Sequence, residues 1–170
     1  MLRARAMRVA DLDAAFDLQC KAHSHDYHEP RAALASRFKQ GPASCFVAEQ
    51  GARLAAYVFA HPWLGAAPVL HRPLPVIDAP DHLFLHDLAV APDARGSGAG
   101  RVLVEAVMEA ARALALPEVR LVAIAGADDF WLRQGWKPTL GALDRSYGVG
   151  ARLMVRTAGG GQHGRMAQRG

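Results

Sequence analysis

Apolar positions along the chain change period several times, and each change marks an element. Leu2 to Arg8 reads as an edge strand. After Asp11, Leu12, Ala15, Phe16 and Leu18, together with Gln19, recur at helical spacing, so a helix is expected with Asp11 at its N-cap. Residues 23–30 form a polar connection, and Pro30 opens a second short helix through Leu34 and Phe38 that Gly41-Pro42 ends. Residues 45–49 and 54–60 read as an antiparallel hairpin around the turn 50–53. Leu83 to Val90 is an apolar run broken only by His86 and Asp87, and therefore a buried strand. Pro92, which has no N–H for a ladder, stops it.

Val102 to Arg112 then runs at helical period until Pro117, and 119–124 is again a strand. This strand–helix–strand unit implies a right-handed crossover and a parallel pair. Residues 127–134 predict a short helix with Gly135 at its C-terminal cap. Residues 136–140 and 150–156 predict a last antiparallel pair, joined by a loop carrying Tyr147. Between His61 and Asp81 no period survives, and five prolines punctuate the segment. A connection that long is characteristic of a lid or binding loop. Its apolar residues, Trp63, Leu64, Val69, Leu70, Leu74, Val76 and Ile77, either pack on the core or wall a pocket. The expected organisation is one domain over 1–157 and a flexible glycine-rich tail over 158–170.

The turn after the central strand carries the chemistry. Gly96, Gly98 and Gly100 alternate between Arg95 and Arg101, just where a helix begins. The first N–H groups of a helix lack internal partners, the macrodipole adds positive potential, and glycines let an anion approach the backbone. A phosphate or pyrophosphate is the natural guest. The dinucleotide fingerprint fails, because the sixth position after Gly96 is Arg101 rather than glycine. The Gly-Lys-Ser/Thr of a nucleoside-triphosphate loop is absent. What fits is Arg-x-x-Gly-x-Gly, as Arg95, Gly98 and Gly100, behind Leu88-Ala89-Val90-x-Pro92. This resembles the coenzyme-A loop of the GNAT superfamily of N-acyltransferases. Phe130-Trp131-x-x-x-Gly135-Trp136 resembles a second segment of the same family. Together they extend the likeness over roughly residues 2–157.

The resemblance implies an α/β (α+β) fold with a mixed, mostly antiparallel central sheet, one parallel central pair and flanking helices. It implies an N-acetyltransferase that moves the acetyl group of acetyl-CoA to a primary amine of a small molecule by direct attack in a ternary complex. The alternatives are a non-catalytic acyl-CoA-binding domain and an enzyme acting on a protein N-terminus or lysine. The amides of Gly96, Ser97, Gly98, Ala99, Gly100 and Arg101, with Arg95 beside them, would grip the pyrophosphate. Main-chain groups of Leu88, Ala89 and Val90 would hold the pantetheine arm, and Phe130 and Trp131 lie in the second cofactor segment. His86 falls where relatives carry a general base, and an imidazole suits that role near neutrality. Asp87 would project to the opposite strand face, because side chains alternate, and brace a loop. Tyr27, Asp26 and Glu29 are candidates to receive a cationic amine. The family's usual acid, a tyrosine after Phe130, is replaced by Trp131, whose indole N–H is far too weak an acid. Tyr27 or Tyr147 is then the alternative donor, or the thiolate leaves unassisted.

Composition narrows the setting without changing that picture. The chain is 51% hydrophobic and 21% charged, as a globular domain is, and no apolar run approaches membrane-spanning length. The basic N-terminus has no apolar core behind it, so a secretory signal is not expected. Cys20 and Cys45 make no disulfide framework, which favours a reducing cytoplasm, and small core residues are the expected role of both. Of the net charge of +4, two units belong to Arg165 and Arg169 in the tail. With no basic run, nucleic acid is not an expected partner, while a homodimer is left open. His23, His25 and His28 with Asp26 and Glu29 do not match a zinc spacing, so no metal is expected.

Overall fold

The computed structural model describes residues 2–159. The first strand, β1 (Leu2–Ala6), is followed by two helices, α1 (Leu12–Ala22) and α2 (Arg31–Gln40). The hairpin is β2 (Phe46–Gln50) and β3 (Arg53–Trp63), and the apolar run is β4 (His82–Val90). Then come α3 (Ala99–Ala113), β5 (Glu118–Ala123), α4 (Asp128–Leu132), β6 (Lys137–Pro138) and β7 (Arg152–Thr157). One seven-stranded sheet results, in the order β1-β2-β3-β4-β5-β7-β6. All neighbours are antiparallel except β4 and β5. The mixed sheet with a single parallel pair is the architecture expected.

Helix α3 lays Leu103, Val104, Val107, Met108 and Ala111 on one face of the sheet, against Val58, Leu83, Leu85, Val119 and Leu121. Helices α1 and α2 cover the other face, where Leu12, Ala15, Leu18 and Leu34 meet Val47, Tyr57 and Phe59. Each large apolar side chain so buried stabilises by about 1.5–3 kcal/mol relative to exposure. Because both faces are covered, β3 is buried almost continuously rather than at alternate positions.

Several details differ from the expectation. The Asp11 carboxylate makes no cap to α1; it accepts from the Arg8 N–H at 2.7 Å and from the Arg5 guanidinium at 2.7 and 2.9 Å. Arg5 also reaches Glu49, which ties β1 to β2, and this competing cation is what draws Asp11 away. β3 runs three residues past Ala60, so the irregular connection is 64–81. Pro62 is tolerated because β3 has passed the end of β2 there. The strand expected over 136–140 shrinks to Lys137–Pro138, since Pro138 cannot donate and both residues are exposed at the sheet edge. Cys45 is a core residue as expected, but Cys20 is exposed. Ala158, assigned to the tail, is buried: its N–H reaches the Pro117 carbonyl at 2.9 Å and its carbonyl accepts from Arg112 at 2.7 Å. The remainder of that tail, 160–170, lies outside the described residues.

Between α2 and β2 the chain presses its backbone against β3. Ser44 donates to the Ala60 carbonyl at 2.7 Å, and Cys45 Sγ is 3.3 Å from the same oxygen. A Cβ on Gly41 would collide with that carbonyl and come within 2.7 Å of His61 Cα. Both are main-chain atoms that no rotamer change can move. Gly41→Ala is expected to cost about 3 kcal/mol or more, read as a lowered midpoint in thermal or urea unfolding.

Candidate active site

The site grows from a split between the two parallel strands. Leu83 opposes Val119 and Phe84 opposes Arg120, and there the pairing stops. Beyond it β4 follows β3 as far as Val90, while β5 follows β7. A cleft of about 880 Å³ opens in the gap, with Leu88, Ala89 and Val90 along its β4 wall and Val122 and Ile124 along the other. It is roomy enough for a cofactor-sized ligand.

One end of the cleft is the glycine turn. Gly96 and Gly98 have φ of +79° and +86°, a region glycine enters without a Cβ penalty, and Gly98 is the N-cap of α3. The Ser97 N–H is taken by the Ala94 carbonyl, and the Ala99 N–H by the Ser97 hydroxyl. Among the described residues, the N–H groups of Gly96, Gly98, Gly100 and Arg101 have no such partner. They therefore make a cluster of donors at the positive end of a fifteen-residue helix. Gly100 must be small for a different reason. A Cβ there would press to 3.2 Å from the Phe130 ring and 3.5 Å from Val90.

The other end is shaped by an irregularity in β4. Phe59 opposes Asp87, yet the next residue, Ala60, opposes Leu85. His86 is thus an extra residue, a β-bulge. The alternation expected of His86 and Asp87 is lost, and this corrects the prediction that they face opposite ways. Leu85 packs on the α3 side, whereas His86 and Asp87 both turn toward α1 and α2.

Two histidine–carboxylate pairs result. Asp87 accepts from Tyr57 at 2.5 Å and pairs with His23 Nε2 at 2.7 Å. Burial opposes the charge on Asp87, but His23 and then the Tyr57 hydroxyl hold its carboxyl below the usual carboxylate range. Burial likewise opposes protonation of His23, yet the Asp87 carboxylate wins and raises the imidazole above its ordinary value. In the second pair, His86 Nε2 stands 3.5 Å from Glu29 Oε1. Glu29 Oε2 accepts from Arg37 and from the His71 N–H at 2.8 Å. The His86 side chain is 0% exposed, and burial followed by the nearby Arg37 charge pushes it below its ordinary value.

Proton positions at His86 follow from counting acceptors. The Pro62 carbonyl only accepts, and the tautomer that satisfies it carries the His61 proton on Nδ1, 3.3 Å away. His61 Nε2 then accepts from His86 Nδ1–H across 3.0 Å. His86 Nε2 is left as a lone pair, buried and without a hydrogen-bond partner, beside a carboxylate oxygen.

Of the residues singled out from sequence, His86, Leu88, Ala89, Val90, Arg95, Gly96, Gly98, Ala99, Gly100, Arg101, Phe130 and Trp131 line this one cleft, as do Tyr27, Glu29, Asp87 and Tyr147. Ser97 does not; it braces the turn. Asp26 lies outside the lining, and among the described residues no group of three His, Cys, Asp or Glu side chains is placed to hold a metal. The Tyr147 hydroxyl is committed to the Pro68 carbonyl and that of Tyr27 points to the Tyr147 carbonyl at 3.4 Å, so neither stands free to donate. Trp131 packs edge-on against Phe130 and Trp136. The sequence reading missed His23, His61, Tyr57 and Arg37. His23 was visible only within a histidine-rich stretch, and the other three looked like ordinary strand and helix residues.

A cleft at splayed parallel strands, closed at one end by a glycine-rich helix start, marks a coenzyme-A-binding class of fold. The family model described as Acetyltransferase (GNAT) family matches residues 12–136, and the chain belongs to that family. Solved structures of similar fold include the ribosomal-protein-S18-alanine N-acetyltransferase of Escherichia coli, with TM-score 0.70 and 20% identity over 96% of this chain and 98% of that one. The GphF GNAT-like decarboxylase in complex with isobutyryl-CoA has TM-score 0.72 and 21% identity over 92% and 99%. The PaiA N-acetyltransferase of Thermoplasma acidophilum in complex with coenzyme A has TM-score 0.68 and 13% identity over 92% and 99%. No curated protein matches the chain in sequence.

The electrostatics of the outer pair are open to direct measurement. His23 contributes stability that is fully present below pH 6.5 and lost as pH rises through its raised folded-state value. In Asp87→Asn the burial remains and the opposing carboxylate is gone. The His23 midpoint, followed by NMR of the ring protons, is expected to fall from above 6.5 to below it.

Proposed function

We propose that this protein is an N-acetyltransferase that carries the acetyl group of acetyl-CoA directly to a primary amine of a small molecule. The observation that carries this reading is the continuity of the cleft. It runs from unpartnered amides at a helix start, along free main-chain groups of β4, to a buried imidazole lone pair. Amides of Gly96, Gly98, Gly100 and Arg101, with the Arg95 and Arg101 side chains, suit a pyrophosphate. The β4 backbone offers strand-like pairing to a pantetheine amide, and an N–H there polarises the thioester carbonyl, a contribution typically of about 3 kcal/mol.

His86 is the base in this reading. Burial keeps it neutral, its Nδ1 proton is engaged by His61, and Nε2 beside Glu29 gives an arriving amine two acceptors. A neutral amine must shed one proton as its nitrogen bonds to the thioester carbon, and this is the group placed to take it. A small acceptor is favoured because the acceptor end is roofed. The 64–81 connection is pinned by Tyr147 to Pro68, by Leu70 to Ser146 at 3.3 Å, by His71 to Glu29 and by Leu74 to Ser36 at 3.2 Å. A folded protein's surface does not reach under such a cover as readily as a free amine.

Thiol release from acetyl-CoA over a panel of amines tests the activity. With the preferred amine, His86→Ala is expected to lower kcat by about 10²–10³-fold while a thermal shift by coenzyme A persists; full activity in that variant removes His86 from the role. Gly100→Val, which drives a side chain into Phe130 and Val90, is expected to abolish the coenzyme-induced thermal shift.

A further inference from the structure

The reaction just described leaves a thiolate that needs a proton, and neither tyrosine at the cleft has a free hydroxyl to give one. Resting on that reading, we propose that His23 is the general acid: its Nδ1–H protonates the thiolate as the carbon–sulfur bond breaks.

His23 lines the cleft and is partly open to it, its side chain 21% exposed. Its Nε2 edge is held by Asp87, which Tyr57 in turn orients from β3. Nδ1 lies on the other edge of the ring, and among the described residues it makes no hydrogen bond and is not sealed off. The residue is clamped at its backbone as well. Its N–H caps α1 through the Gln19 carbonyl at 3.0 Å, and its carbonyl accepts from His28 at 2.8 Å. A cation at a helix C-terminus is favoured by the macrodipole.

Burial and the charged groups around the ring pull both ways, and the carboxylates prevail. Asp87 from β4 and Glu29 from the α1–α2 connection stabilise the imidazolium, while Arg95 from the glycine turn opposes it. His86 differs: its side chain is buried at the cleft wall, and burial with the nearby Arg37 charge holds it below its ordinary value. Two histidines driven apart in this way divide into an acid and a base.

The step balances as follows. The amine binds neutral, its first proton left in solvent; its nitrogen forms a bond to the thioester carbon and gives up one proton, which goes to His86 Nε2. The carbon–sulfur bond breaks, its electron pair stays on sulfur, and sulfur takes the proton of His23 Nδ1. An amide and a free thiol leave; neutral His23 regains a proton from solvent, and imidazolium His86 returns one.

The test compares two acyl donors, acetyl-CoA and its selenoester analogue, whose selenol is ionised at neutral pH and needs no acid to depart. His23→Gln is expected to slow transfer from acetyl-CoA by about 100-fold and to leave transfer from the selenoester near the wild-type rate. The alkaline fall in wild-type kcat should vanish in His23→Gln and move to lower pH in Asp87→Asn, which keeps the imidazole and loses its partner. If His23→Gln slows both donors equally, or neither, His23 is not the acid. Should the wild type move acetyl from neither donor to any amine, although coenzyme A still raises its melting temperature, acyl transfer itself falls, and this assignment with it.

Discussion

A single surplus residue in β4 decides what the acceptor end of the cleft contains. Without the bulge at His86, either His86 or Asp87 would point at α3 and be lost in an apolar core. With it, consecutive residues of one strand present an imidazole and a carboxylate to the same side. Each meets a partner of opposite kind arriving from the α1–α2 connection: Glu29 for His86, His23 for Asp87. The shift is held from behind, where Ser44 and Cys45 occupy the Ala60 carbonyl and Gly41 lets their turn come close.

The fold was legible because its signals are local. The Arg95-to-Arg101 turn, the apolar run ahead of it and the α3 stripe each sit within a few turns of chain, and they place the donor end of the cleft residue by residue. The acceptor end was only half legible. Tyr27, Glu29, His86, Asp87 and Tyr147 were all singled out, but the period of two assigned Asp87 the wrong face. A bulge has no signature in one sequence, since it is a property of two paired strands. His23 and His61 acquire meaning only through partners 64 and 25 residues away. Asp11 failed as a cap for a related reason: a cation on another strand outbid the helix.

The two pairs also show how one pocket shifts two histidines in opposite directions. His23 sees a carboxylate whose own charge is supported by a tyrosine, and it keeps an edge toward solvent. His86 sees a carboxylate already matched by Arg37 and no solvent. Equal ingredients in unequal surroundings raise the proton affinity of one imidazole and lower that of the other.

The proline-laced segment reaches the cleft through the His71 amide on Glu29, the Pro68 carbonyl that holds Tyr147, and the Leu70 side chain along the lining. Everything else it contributes is shape. On the proposed reading, substitutions along 64–81 are free to re-tailor which amine is admitted while the sheet, its kink and its paired histidines stay as they are, so that divergence in acceptor choice would need no new catalyst.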